Sequence, residues 1–168
     1  MKSLHDPEQL RDRADVSFHE ETHVVDREEF DATRENVDSH IVVGVTNDSG
    51  EVLLVNDGSH GWTLAAFPLE SAEDAAVTAR QALENLTGIS ISLDCPERVR
   101  HIEFRSDGDD ARQFSMYNVI LRASPVDGRP VASEPTLGHT EVQDIGWFAE
   151  VPEGTSDELG DDIRLFLE

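Results

Sequence analysis

The chain has 168 residues, 38% of them apolar, which is enough for one domain with a sizeable core. Thirty-six Asp and Glu face thirteen Lys and Arg, a formal net charge of −23, and the only lysine is Lys2. That balance excludes double-stranded nucleic acid as a partner, since few cations can displace phosphate counterions, and no apolar run approaches the roughly 18 residues that cross a membrane.

An acidic, lysine-poor surface repels itself in dilute buffer. At molar salt, where the Debye length falls to about 3 Å, the repulsion is screened, so a halophilic, salt-adapted protein is expected. A lone Cys95 has no internal disulfide partner, and the charged start MKSLHDPEQLRDRADV lacks the apolar core of a signal peptide. Both point to a reducing, cytoplasmic setting.

Residues 1–36 read as a polar, charged N-terminal extension, with short helices at 7–13 and 27–36. Between them Val16, Phe18, Glu20, Thr22 and Val24 alternate with mostly polar neighbours, as a strand would. Residues 40–46 are a β-branched run, Asn47-Asp48-Ser49-Gly50 supplies turn chemistry, and 51–55 resume the apolar pattern, predicting strand, turn, strand. Residues 62–64 extend that sheet. The spacing of Ala75, Ala79, Ala82, Leu83 and Leu86 predicts a helix over 72–86 with one apolar face. Ser71 stands as its N-cap with Asp74 three residues on, and Gly88 sits where a left-handed C-terminal residue belongs. Residues 89–93 read as a strand, and 99–105 and 113–123 as two long strands joined by the acidic loop 106–112. Residues 141–150 hold another strand containing Trp147-Phe148, Pro152 breaks the chain, and 157–167 form a closing amphipathic helix. Strands around a central helix, without regular β-α-β alternation, give a mixed-sheet α/β (α+β) sandwich.

His19-Glu20-Glu21-Thr22-His23 spells the zinc-peptidase pattern HExxH. That chemistry needs a helix, so that both histidines share a face. The flanking Val16, Phe18, Val24 and Val25 favour a strand, in which four residues span about 13 Å, too far for one zinc ion. Surface histidines are the expectation here.

The stretch GWTLAAFPLESAEDAAVTARQALENLTGI, from Gly61 to Ile89, resembles the Nudix segment. The family's box runs Gly, five spacers, Glu, seven spacers, then Arg-Glu-apolar-X-Glu-Glu-X-Gly-apolar. Anchored on Gly88 it starts at position 67 without a gap: Glu73 matches the first glutamate, Leu83 the apolar position, and Gly88-Ile89 the end. The Trp-x-Leu lead-in and Ile145-Gly146-Trp147-Phe148, followed by Pro152, are also similar to the family. The resemblance covers roughly residues 38–167 and implies a Nudix-type domain over 37–168, a mixed β-sheet sandwiched between helices.

The box is degenerate. Phe67 stands for the first glycine, Gln81 for the arginine, Ala82 for the glutamate beside it, and Asn85 and Leu86 for the paired glutamates. In the family those three glutamates share a helix face and hold a cation. Magnesium requires oxygen ligands, which Ala82 and Leu86 lack and Asn85 offers only as a neutral carbonyl. No metal is expected with the usual ligands, and no cofactor.

The resemblance then implies a scaffold whose Mg²⁺-dependent diphosphate hydrolysis is weak or lost, acting as a binding or regulatory module for a nucleotide-like small molecule. The alternative is an active hydrolase of a nucleoside diphosphate linked to another moiety. It would use Mg²⁺ or Mn²⁺ on relocated carboxylates drawn from Glu70, Glu73, Asp74, Glu84, Asp107, Asp109, Asp110 and Glu141, with Glu73 the catalytic candidate. A second alternative is a protein-binding domain making contact through residues 1–36. For ligand binding the resemblance implies an aromatic for the base, from Trp62, Phe104 and Tyr117, and cations for the phosphates, from Arg80, Arg98, Arg100, Arg105 and Arg112. Cys95 has no activating partner and is not read as a nucleophile.

Overall fold

The alternating and β-branched runs assemble into a seven-stranded mixed sheet. The computed structural model describes residues 10, 11, 13–36, 39–56, 61–69, 74–107, 113–137 and 140–167. In chain order the elements are β1 (Ser17–Val25), α1 (Arg27–Asn36), β2 (Ser39–Gly44), β3 (Val52–Asn56), β4 (Trp62–Leu69), α2 (Ala75–Thr87), β5 (Leu93–Ser106), β6 (Gln113–Ala123), β7 (Thr136–Leu137), β8 (Thr140–Glu141), β9 (Asp144–Phe148) and α3 (Asp157–Arg164). The sheet order is β1-β5-β6-β2-β4-β3-β9, with β7 and β8 forming a separate small ladder. Two neighbours run parallel, β1 with β5 and β2 with β6; the other pairings are antiparallel.

Side chains alternate across the sheet and bury on both faces. One face carries Ile41, Val43, Phe67, Val99 and Val119 against Ala75, Ala79, Leu83 and Leu86 of α2. The other carries Val52, Leu54, Leu64 and Ile120 against Ile163 and Phe166, at and just beyond the end of α3. Fully burying a side chain such as Leu83 or Ile163 stabilises the fold by about 1.5–3 kcal/mol. Gly44 lies directly under the Phe166 ring, where a β-carbon would overlap it, so the glycine admits the ring to the sheet.

The turn at 47–50 forms as its residues predict. Asn47 Oδ1 accepts from the backbone N–H of Ser49 (3.1 Å) and Glu51 (2.9 Å), and its amide donates to Glu51 Oε1 and to the Gly128 carbonyl. Gly50 takes φ 78°.

The sequence and the structure differ at several boundaries. Residues 89–92 are not a strand; β5 starts at Leu93 and runs unbroken to Ser106, with register shifts at Leu93/Cys95 and Pro96/Arg98. The closing helix stops at Arg164, where Leu165 and Phe166 turn inward. Strand β4 reaches Leu69, well past residue 64. The predicted helix at 7–13 lies largely outside the described residues.

The described part of residues 1–36 packs on the same sheet. Strand β1 pairs with β5 over nine residues. Phe30 of α1 is fully buried and meets Phe114 edge-on at 5.2 Å. Leu10 and Val16 join the core on the α2 face.

Candidate functional site

The helix over the stretch that resembles the box begins at Ala75, one turn later than the apolar spacing alone indicates. Its N-cap is Asp74, whose carboxylate accepts from Ala76 N at 2.9 Å and Val77 N at 3.3 Å; Ser71 lies outside the described residues. A carboxylate at this end satisfies orphan N–H groups and complements the helix dipole. Gly88 closes the helix at φ 78°, its N–H donating to Glu84 O at 2.8 Å.

On α2 the positions singled out from the box resemblance divide. Ala82 (7% exposed) and Leu86 (0%), one turn apart, lie on the stripe that packs into the core with Leu83. Gln81, Glu84 and Asn85 are exposed. Phe67 lies in β4 opposite Ile41, also inside the core rather than at a backbone crossing. The N–H of Ala132 donates to Leu86 O at 2.9 Å, so the chain leading to β7 crosses the C-terminal end of α2. Positions 82 and 86 are therefore core positions, and a carboxylate at either would be desolvated.

The aromatic candidates do not converge. Trp62 packs on Phe148 at 4.7 Å on the α3 face. Tyr117 stacks on His101 at 4.7 Å on the α2 face. Phe104 lies between Phe114 (5.0 Å) and His23 (5.5 Å). Each serves packing in the sheet.

The arginines divide in the same way. Arg105 is exposed and pairs with Glu103 at 3.0 Å. Arg80 is half-buried on α2. Arg98 and Arg100 instead converge on Asp162 of α3. Arg98 Nη1 donates to Oδ1 at 2.9 Å, and Arg100 donates to both oxygens at 2.7 and 2.8 Å. The Nε of Arg98 is buried without a hydrogen-bond partner. Beside this clasp lies a basin of about 460 Å³ lined by His19, Glu21, Arg98, Arg100 and Asp161. Its walls are largely self-paired: His19 with Ser17 Oγ at 2.7 Å, Glu21 with His23 at 3.3 Å, and Asp161 with Arg164 at 3.1 Å. Asp162, the hub of this cluster, was not singled out from the sequence; its one signal was its place on an amphipathic helix.

Glu70, Glu73, Asp109, Asp110 and Arg112 lie outside the described residues. Asp107 is exposed just after β5, and Glu141 belongs to β8. Among the described residues no three His, Cys, Asp or Glu side chains of one chain gather as a metal cluster. Cys95 is half-buried with Sγ 3.6 Å from Glu97 Oε1; burial first, and then the Glu97 carboxylate, push its thiol above the usual range, the reverse of nucleophile activation. No helix among the described residues is long and apolar enough to cross a membrane.

No protein-family model matches the sequence, and neither does any curated protein. Among solved structures, the chain is similar to a MutT protein from Methanosarcina mazei Go1 (14% identity, 76% of this chain and 90% of that one, TM-score 0.48). It is also similar to a UDP-X diphosphatase (16% identity, 84% and 70%, TM-score 0.48) and to the Bacillus subtilis pyrophosphohydrolase BsRppH (14% identity, 77% and 80%, TM-score 0.44). At these scores the similarity is one of broad outline and carries nothing about site chemistry.

Proposed function

We propose that this chain is a Nudix-type module whose Mg²⁺-dependent diphosphate hydrolysis is weak or lost, and which binds a nucleotide-like small molecule. One observation carries the reading. The box resemblance assigns metal-binding carboxylates to positions 82, 85 and 86, and two of those three positions are inside the hydrophobic core. A divalent hard cation needs several oxygen ligands converging in a polar, accessible space. The described part of α2 offers Asn85, Gln81 and Glu84 on its exposed side, which is a solvated helix face rather than a cage. The substitutions at 67, 82 and 86 are mutually consistent. Phe67, Ala82 and Leu86 all belong to one hydrophobic core, so the residues that stand where the box expects a glycine and two ligands serve packing instead.

The test is a panel of nucleoside diphosphate derivatives offered to the full chain in molar KCl with Mg²⁺ or Mn²⁺, monitored in parallel for turnover and thermal shift. Stabilisation by one class of nucleotide without turnover is the expected outcome. Metal-dependent turnover abolished by Glu73→Gln would overturn the reading and establish hydrolysis on relocated carboxylates.

A further inference from the structure

We infer that β1 is a self-complementary sheet edge, and that a second copy of this chain, pairing antiparallel along it, completes two divalent transition-metal sites from His19, Glu21 and His23. The inference stands independently of the proposed nucleotide binding.

The edge comes first. Strand β1 is at one end of the sheet, with β5 on one side and no strand on the other among the described residues. Val25 O accepts from Asp107 N at 2.9 Å, on the β5 side. Because backbone groups alternate direction along a strand, the odd-numbered residues of β1 aim their N–H and C=O at β5. Phe18, Glu20, Thr22 and Val24 aim theirs outward, where they meet no backbone partner among the described residues, a row that invites pairing.

The register follows from the strand's length. Ser17–Val25 is nine residues with Glu21 at the midpoint. Full antiparallel overlap with a second β1 places 18 opposite 24, 20 opposite 22, 19 opposite 23, and 21 opposite itself. The outward-aimed residues then form the hydrogen-bonded pairs, as the geometry requires. Phe18 meets Val24, otherwise the most exposed large apolar side chain among the described residues at 67%, and Glu20 meets Thr22. The odd residues form the non-hydrogen-bonded pairs, whose α-carbons approach to about 4.5 Å with their side chains closest together.

Those odd residues are His19, Glu21 and His23, on the sheet face that opens into the basin. Within one strand the two histidines are about 13 Å apart, too far to share an ion. Across the pair, His19 stands opposite the partner's His23, twice by symmetry, with the two Glu21 carboxylates meeting at the axis. Without a cation that carboxylate opposition is unfavourable. With one ion on each side it becomes a ligand set of two imidazoles and a carboxylate per metal, the donor set that suits Zn²⁺. His23 Nε2 already lies 3.3 Å from Glu21 Oε2, and both histidines are exposed. Arg98 and Arg100 share the basin, but their guanidinium groups are drawn to Asp162. The HExxH spacing, which fails as a helical zinc motif, is thus a palindrome about Glu21 that works on a strand.

The experiment is sedimentation equilibrium of the full chain in molar KCl, in EDTA and with ZnCl₂, with Co²⁺ as the spectroscopic probe. A monomer in EDTA, a dimer at one Zn²⁺ per chain, and the visible bands of a low-coordinate Co²⁺ site are expected. His19→Gln and His23→Gln should each lose the dimer and the bands. Thr22→Pro removes an outward N–H without touching the β5 ladder; it should lose the dimer while circular dichroism reports an unchanged fold. In a Cys95→Ser background, Glu21→Cys should cross-link to a covalent dimer under mild oxidation. A chain that stays monomeric at saturating Zn²⁺, a zinc dimer undiminished in either histidine variant, or one undiminished by Thr22→Pro would overturn the inference.

Discussion

Arg100 and Asp162 form a two-pronged contact between β5 and α3, Nη1 to Oδ2 at 2.7 Å and Nη2 to Oδ1 at 2.8 Å, with 8% and 5% of the two residues exposed. Arg98 joins the same carboxylate, so one aspartate compensates two guanidinium groups at the edge of the α3 core. Removing one partner of a buried pair leaves the other charge uncompensated. Asp162→Asn is therefore expected to cost about 3 kcal/mol or more, read from urea unfolding. The neighbouring exposed Asp161→Asn should stay within about 0.5 kcal/mol of the parent chain.

The α2 positions separate by burial, and glutamate substitutions on its two sides would expose the contrast. Leu86→Glu places a carboxylate in a site with no exposed surface, and a loss of about 4 kcal/mol is expected. Asn85→Glu, one residue earlier but on the solvent side, should change stability by no more than about 0.5 kcal/mol. Denaturation midpoints of the two variants measure the contrast. Equal tolerance would show that position 86 is not part of the core.

The Asn47 turn supplies a pH dependence. Arg129, followed by the Asn47 amide, holds the Glu51 carboxyl below the usual glutamate range, and Arg129 Nε lies 2.7 Å from Glu51 Oε1. A carboxyl depressed in the folded state contributes stability that is present above its unfolded pKa of about 4.3 and is lost as pH falls through the lower folded value. The melting-temperature difference between the parent chain and Glu51→Gln is thus expected to be constant near neutrality and to shrink below pH 4. A difference that grows on acidification would reverse the assigned sign.

What the sequence made legible was periodic or local. The turn at Asn47, strands β2, β3 and β6, the apolar stripe of α2 and the left-handed Gly88 each carry a local sequence pattern, in which spacing and turn chemistry suffice even where the partners are distant, as β6 is from β2. The N-cap shifted from Ser71 to Asp74 because both residues suit that position, and only packing fixes where the first turn starts. Residues 89–93 read as a strand, but only Leu93 belongs to one: Ile91 is buried, and burial without a ladder partner does not make a strand. The Arg98–Arg100–Asp162 cluster was illegible: its members are 62 and 64 residues apart, and thirty-six acids leave twelve arginines with no unique partner in the sequence. The pairing of β1 with β5 is parallel and spans a still longer stretch of chain, so no hairpin signal announces it.

On the proposed reading, α2 does not hold a hard divalent ion. Mn²⁺-induced broadening of backbone amide resonances in molar KCl tests it at residue resolution. Amides 75–87 are expected to keep their intensity at equimolar Mn²⁺. Selective, saturable broadening centred on residues 82–86 would contradict it.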